Sequence, residues 1–327
     1  MKLETIFALP FYFAPISDGL GDLLVSLPGL LTLVRTGEPT FLIIRSPKQE
    51  QVAELIPGLS GAIREPDFHA KVKRSDDIFV NMRDHPLQTE AIFGSDAYFE
   101  KNGPLNIVDL CRQICFDLIE RDLKIPLQFE YEPFPYKKNS ASFHKVIFIP
   151  GSAGRFKCWP LDSWLNLYKA LSSRGLECIV IGQPDKSPEV LELLEYTKDL
   201  GLAHVKTPTL KDAIDVISSA SAVISVDTGL MHLSVQQQKP TIAMHLKRSI
   251  FIRPENNCIS IIAEDCIPEC LTWTQNDGPS KSINFETYAE IEFNPCYGQQ
   301  NCKRIAEIEF ERVLSEYEKL MTKPMNT

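Results

Sequence analysis

Short β-type runs alternate with helical stretches along nearly the whole chain, and no other feature limits the fold as strongly. In the later part, Val146–Ile149, Glu177–Ile181, Ala222–Val226 and Thr241–Met244 read as strands. Between and after them, Leu161–Leu171, Pro188–Leu200, Leu210–Ser218 and a stretch from about Leu230 read as helices. The earlier part repeats the pattern, with strands at Thr5–Phe13, Thr40–Ile44 and Ile78–Val80, and helical patterns from Asp22 and near Gln49–Ile56. Asn106–Ile119 reads as a further helix, with Ile107, Leu110, Cys111, Ile114 and Leu118 at helical spacing. Strands separated by helices pair in parallel, so the expectation is an α/β fold.

Residues 125–144 break the rhythm. Pro126, Pro133 and Pro135, the aromatics among them and Lys137-Lys138-Asn139-Ser140 have no helical period, as in a linker. The 327 residues also suit about two domains at roughly 150 residues each. The expected division is 1–140 and 141–327, two parallel-sheet domains with a cleft between them. The final element, Arg304–Met321, sets Ile308, Val313, Leu314, Tyr317 and Met321 on one face of a helix.

Charge narrows the partners. With 34 Lys+Arg against 43 Asp+Glu the net charge is −9, which argues against a general nucleic-acid binder. Glu4, Pro10 and Pro15 interrupt what a signal peptide would keep basic and then apolar, and the apolar run Leu20–Val34 is broken by Asp22, Ser26 and Pro28. The expectation is a cytoplasmic protein whose cysteines are reduced thiols, ligands or core residues.

Three loops carry candidate chemistry. Ser17-Asp18-Gly19-Leu20-Gly21-Asp22 lies between the first strand and its helix, where glycines let backbone N–H groups approach a ligand. A dinucleotide fingerprint would need a third Gly near Leu24, so nicotinamide binding is not supported. Asp22 falls at the C-terminal end of a parallel strand, where such sheets bind ligands; capping of the helix is the structural alternative. Pro150-Gly151-Ser152-Ala153-Gly154-Arg155-Phe156-Lys157-Cys158-Trp159-Pro160 follows a strand and offers amides, a hydroxyl and two cations, the parts of a phosphate site. It lacks the Lys-Ser/Thr ending of a triphosphate loop. Asp227-Thr228-Gly229-Leu230-Met231-His232 opens a helix whose first amides suit an anion, with His232 as a further donor. Each loop alone also reads as a turn packed into a core. Two phosphate-type loops in the same half-chain make the shared coincidence the weaker explanation.

Together these motifs resemble glycosyltransferase family 9, the ADP-heptose:lipopolysaccharide heptosyltransferases. The matching elements are Gly21-Asp22 with Pro28-Gly29-Leu30, the loop ending Lys157-Cys158-Trp159-Pro160, and Asp227-Thr228-Gly229-Leu230-Met231-His232 with Lys239-Pro240. The resemblance implies a GT-B fold, two Rossmann-like domains facing across a cleft, with the donor mainly on the C-terminal domain and the acceptor on the N-terminal one. It implies an inverting transfer that requires no cofactor, Asp22 as general base, and donor contacts from Ser152, Lys157, Asp185, Asp227, Thr228, Gly229, Leu230 and His232. Its implied partners are an ADP-sugar and a glycolipid or glycan acceptor, with peripheral contact at the inner face of the inner membrane. A protein acceptor, or a non-catalytic nucleotide-sugar-binding protein, are the alternatives. The acceptor half, notably Arg83–Gly103, offers little to match. Lys247, Arg248 and Arg253 form a candidate basic edge, read singly as solvated surface cations.

Five of the nine cysteines fall between Cys258 and Cys302. Cys266, Cys270, Cys296 and Cys302 are two pairs across a loop, a set able to supply four thiolates to structural zinc or iron; four reduced thiols are the alternative. The resembling family often carries cysteines in this tail, and a branch acting on autotransporter proteins holds iron there.

Overall fold

The computed structural model describes residues 9–72, 77–89, 106–128, 144–152, 157–183, 188–246, 251–264 and 303–322. Residues 9–89 and 108–128 fall in one compact unit and those from 144 onward in another. Residues 129–143, around the expected seam between 140 and 141, lie outside the described set.

The first unit opens with β1 (Phe11–Ala14), α1 (Leu20–Val34), β2 (Thr40–Ile44), α2 (Pro47–Ala53), β3 (Gly61–Arg64) and β4 (Ile78–Asn81). The strands form a parallel sheet in the order β3-β2-β1-β4. Every residue of β1 is buried, as expected for a central parallel strand covered on both faces. Helix α3 (Ile107–Cys115) runs on into a π-helical turn, Phe116–Arg121, so the expected Asn106–Ile119 helix widens at its C-terminal end. Pro28-Gly29-Leu30 is a packing device. All three residues are buried in α1, and a Cβ on Gly29 would stand 2.5 Å from Cys115 Sγ and 3.2 Å from the Phe13 ring. Only glycine lets α1 sit this close to the α3 segment and β1.

The second unit contains β5 (Lys145–Ile149), α4 (Leu161–Ser172), β6 (Glu177–Ile181), α5 (Pro188–Tyr196), β7 (Ala203–Val205), α6 (Leu210–Ser218), β8 (Ala222–Val226), α7 (Gly229–Gln236), β9 (Thr241–His245), β10 (Cys258–Ile262) and α8 (Phe310–Thr322). Its six parallel strands follow the order β10-β9-β8-β5-β6-β7. Counted from β5, this is the doubly wound dinucleotide-type order, and its switch point falls between β5 and β8. In the first unit the corresponding point falls between β1 and β4. Both units are therefore Rossmann-like, as expected.

Trp159 and Trp164 meet edge to face at 5.2 Å, and Phe148 packs on Trp164 at the same separation. The Trp159 indole N–H donates to the Ile308 carbonyl at 2.8 Å. That bond sits at the break in the expected Arg304–Met321 helix. Lys303–Ala306 forms one turn, α8 starts at Phe310, and buried Ile308 between them turns its carbonyl to the tryptophan. No helix of the described residues is long and apolar enough to cross a membrane.

Candidate functional site

In the first unit the chain leaves β1 through Pro15–Gly19, a loop held from three sides. Ile16 N donates to Ser26 Oγ at 3.3 Å, and Ser26 Oγ donates to the Asp22 carbonyl at 2.7 Å. The start of α2 adds Ser46 Oγ to the Asp18 carbonyl at 2.9 Å and Gln49 Nε2 to the Ser17 carbonyl at 2.8 Å. Gln49 is fully buried, which gives these bonds weight. From beyond β4, Arg83 Nε donates to the Pro15 carbonyl at 3.1 Å. Glu65 holds both Arg83, at 2.5 Å, and Arg45, at 2.5 Å. Burial pushes the Glu65 carboxyl up, and the two guanidiniums more than reverse this, leaving it below its ordinary value. Arg83 Nη2 is buried and has no hydrogen-bond partner. Nothing in the sequence pattern marked Arg83; its position just past β4, beside the switch point, is the signal.

Asp22 is the third residue of α1, in the first turn, where a helix favours negative charge. Gly19 is the N-cap residue, in an extended conformation, and accepts no side-chain cap. The Asp22 carboxylate lies over it, so that a Cβ on Gly19 would collide with Oδ2.

In the second unit, seven of the eight expected donor residues lie at the C-terminal ends of β5 and β8 and the start of α7. Ser152 Oγ donates to the Asp227 carbonyl at 2.8 Å. Lys157 Nζ pairs with Asp227 Oδ2 at 3.0 Å and stands 5.0 Å from the centre of the Phe251 ring. Thr228 is the N-cap residue of α7 without a side-chain cap bond, and Gly229 and Leu230 begin the helix half-buried. Their amides have no intrahelical acceptor, which makes them anion donors. His232, one turn in, is 2% exposed, and its Nδ1 faces Arg253 Nη1 at 3.3 Å.

Electrostatics organises this cluster. Burial pushes the Asp227 carboxyl up, but Lys157 and the His245 and His232 rings draw it below the usual carboxylate value. Burial and then Arg253 hold the His232 ring well below its ordinary value, against the pull of Asp227. Burial, with Lys157, also lowers His245, which is fully enclosed at the end of β9 with neither ring nitrogen hydrogen-bonded. Lys157 is thus engaged with a carboxylate rather than a freely solvated cation. Arg253 corrects the reading of a solvated edge: its side chain is fully buried and paired with Glu255. Lys247, Arg248 and the expected ribose-binding Asp185 lie outside the described residues, as do Cys266, Cys270, Cys296 and Cys302. Among the described residues no group of three or more His, Cys, Asp or Glu could hold a metal ion.

The family model for glycosyltransferase family 9 (heptosyltransferase) matches residues 100–269, just over half of the chain. The chain belongs to this family. It is 24% identical over 188 residues to lipooligosaccharide heptosyltransferase 2 of Haemophilus influenzae, covering 52% of this chain and 49% of that protein. The chain thus spans about half the length of that curated relative. Among solved structures, the E. coli heptosyltransferase WaaC with ADP superposes with a TM-score of 0.63 at 13% identity, over 95% of this chain and all of that one. The iron-containing dodecameric glycosyltransferase TibC from enterotoxigenic E. coli gives 0.57 at 16% identity, over 95% of this chain and 76% of that one. These likenesses agree with the fold read from the two sheets.

Proposed function

We propose that the protein is an inverting glycosyltransferase that moves a heptose from ADP-heptose to a lipopolysaccharide core or related surface glycan. The observation that carries this reading is the convergence of Ser152, Lys157, Asp227 and the start of α7 at the β5/β8 switch point, in a chain of a heptosyltransferase family. The Lys157 ammonium, the Ser152 hydroxyl and the first amides of α7 suit a diphosphate.

The transfer is a single displacement. An acceptor hydroxyl oxygen attacks the anomeric carbon as its proton passes to the Asp22 carboxylate, and the bond from that carbon to the β-phosphate oxygen breaks with its electrons on ADP. Inversion follows from attack opposite the leaving group. Lys157 and the amides of Gly229 and Leu230 offset the charge that develops on the diphosphate. The WaaC structure named above contains ADP, which supports an adenine nucleotide as the donor carrier.

A thermal-shift and nucleotide-release panel tests this reading. ADP at about 100 times its dissociation constant is expected to add about 2.7 kcal/mol of stability, with UDP adding little. ADP release from ADP-heptose is expected to rise with a lipopolysaccharide core acceptor. Stabilisation by UDP in preference to ADP, or no acceptor-dependent release, would sink it.

The seat of Asp22 gives a second expectation. Gly19→Ala suits the backbone, since φ is −67° and ψ is 153°, but pushes the carboxylate off its position. Loss of the glycine N-cap costs about 1 kcal/mol. Displacing a catalytic group by about 1 Å costs on the order of 100-fold in rate. A large fall in kcat with a near-native melting temperature is expected from steady-state kinetics and calorimetry. Unchanged kcat would show that the position of Asp22 over Gly19 does not matter.

A further inference from the structure

His232 and Arg253 form a buried pair whose chemistry admits one arrangement. Arg253 Nη1 lies 3.3 Å from His232 Nδ1. A guanidinium has five donors and no acceptor, so Nδ1 must accept, and the proton of the neutral ring must sit on Nε2. Arg253 cannot swing away freely. Its Nε lies 3.0 Å from each Glu255 carboxylate oxygen, Nη2 also bonds Oε1, and the side chain has no exposure. The Phe251 ring closes one side of the imidazole, its centre 6.3 Å away and edge-on at 72°.

We infer that Arg253 is a positioning residue that locks His232 in the Nε2–H form, so that the helix presents a neutral, correctly oriented donor to the diphosphate of the donor sugar. This deepens the proposed function and rests on it for the identity of the ligand; the lock itself does not. The charged and titratable groups that face His232 are Arg253, Asp227, His245 and Lys157. Asp227 attracts a proton to the ring, but its charge is already met by Lys157 at 3.0 Å, as that of Glu255 is by Arg253. A cationic His232 would sit against the Arg253 guanidinium with no counter-charge of its own. The lock therefore gives a donor whose hydrogen bond does not change across the range in which a free histidine titrates. No sequence pattern pairs these residues, because 21 positions and β9 separate them.

Ring-nitrogen NMR of the full chain, labelled at histidine, tests the lock without reference to activity. The expected spectrum shows Nε2 protonated and Nδ1 bare, unchanged between about pH 5.5 and 8, a window around the ordinary histidine value. An Nδ1–H form, or a doubly protonated ring at pH 7, overturns the inference. In Arg253→Met the ring is expected to sample both neutral forms and to charge on the acid side. Acceptor-dependent ADP release is expected to fall about tenfold in kcat/KM and to gain an acid limb. Arg253→Lys, which keeps one charged donor, is expected to recover part of the loss. The double variant Arg253→Met/His232→Gln is expected to lose no more than His232→Gln alone, because Arg253 acts through His232. Additive losses would overturn the inference. Failure of the donor panel with the Nε2–H spectrum intact would instead count against the heptose reading alone.

Discussion

Asp22→Asn is expected to lower kcat by about 10²–10⁴-fold, the usual contribution of a general base, while leaving ADP affinity at the wild-type level. The amide matches the carboxylate in size, so it keeps the space over Gly19 and the packing of the first turn of α1. It cannot take a proton from an attacking hydroxyl. The charge lost from the first turn costs about 0.3–1 kcal/mol through the helix dipole, too little to unfold the unit. ADP affinity is unaffected because the groups proposed to hold the nucleotide, Ser152, Lys157 and the start of α7, belong to the second unit. Pre-steady-state turnover and isothermal titration with ADP separate the two readouts. Weakened ADP binding with full kcat at saturation would move Asp22 from base to donor ligand. If the capping alternative described Asp22 fully, the substitution would change the melting temperature slightly and the rate not at all.

Much of the fold is legible in residue pattern because parallel strands buried on both faces are continuous apolar runs. Thr40–Ile44, Glu177–Ile181 and Ala222–Val226 are such runs, and the observed strands coincide with them. Gly61–Arg64, Ala203–Val205 and Cys258–Ile262 carry no such signal for the converse reason. They are short or half-buried, and β3, β7 and β10 are the outermost strands of their sheets, held there by backbone pairing more than by apolar side chains. The site divides in the same way. Ser152, Lys157, Asp227 and His232 announce themselves through loops next to strands. Arg253 reads from sequence only as a solvated edge, and His245 and Arg83 not at all, because each acts through a contact between separate segments, with His232, with the Asp227 cluster and with the Pro15 carbonyl. Local spacing carries no record of such contacts.

The Lys157–Asp227 pair is the second place where a large effect is expected, and the two halves are not equivalent. The Asp227 side chain is 7% exposed and Lys157 24%. Lys157→Met strips the carboxylate of its principal counter-charge in a buried site and is expected to cost about 3 kcal/mol. For a unit of this size that is a fall of about 6–12 °C in melting temperature. Asp227→Asn leaves an ammonium that can turn toward water beside the Phe251 ring, and its expected cost is nearer 1 kcal/mol, on the scale of a partly exposed pair. Acid should narrow the gap between wild type and Lys157→Met. The folded Asp227 carboxyl titrates below the unfolded value of about 3.9, so its stabilising contribution is complete above that pH and is lost as pH falls through the folded value. His232 and His245 are held below their ordinary value, so the folded protein loses stability as pH drops below about 6.5, where the unfolded rings charge. Lys157 contributes to both of those depressions, and its removal softens that loss in the variant. Denaturant melts from pH 7.5 to 3.5 read the difference directly. Equal losses in the two variants, or a gap that widens on acidification, would mean that the pair does not stabilise the Asp227 carboxylate and that Lys157 stands in the loop for the ligand alone.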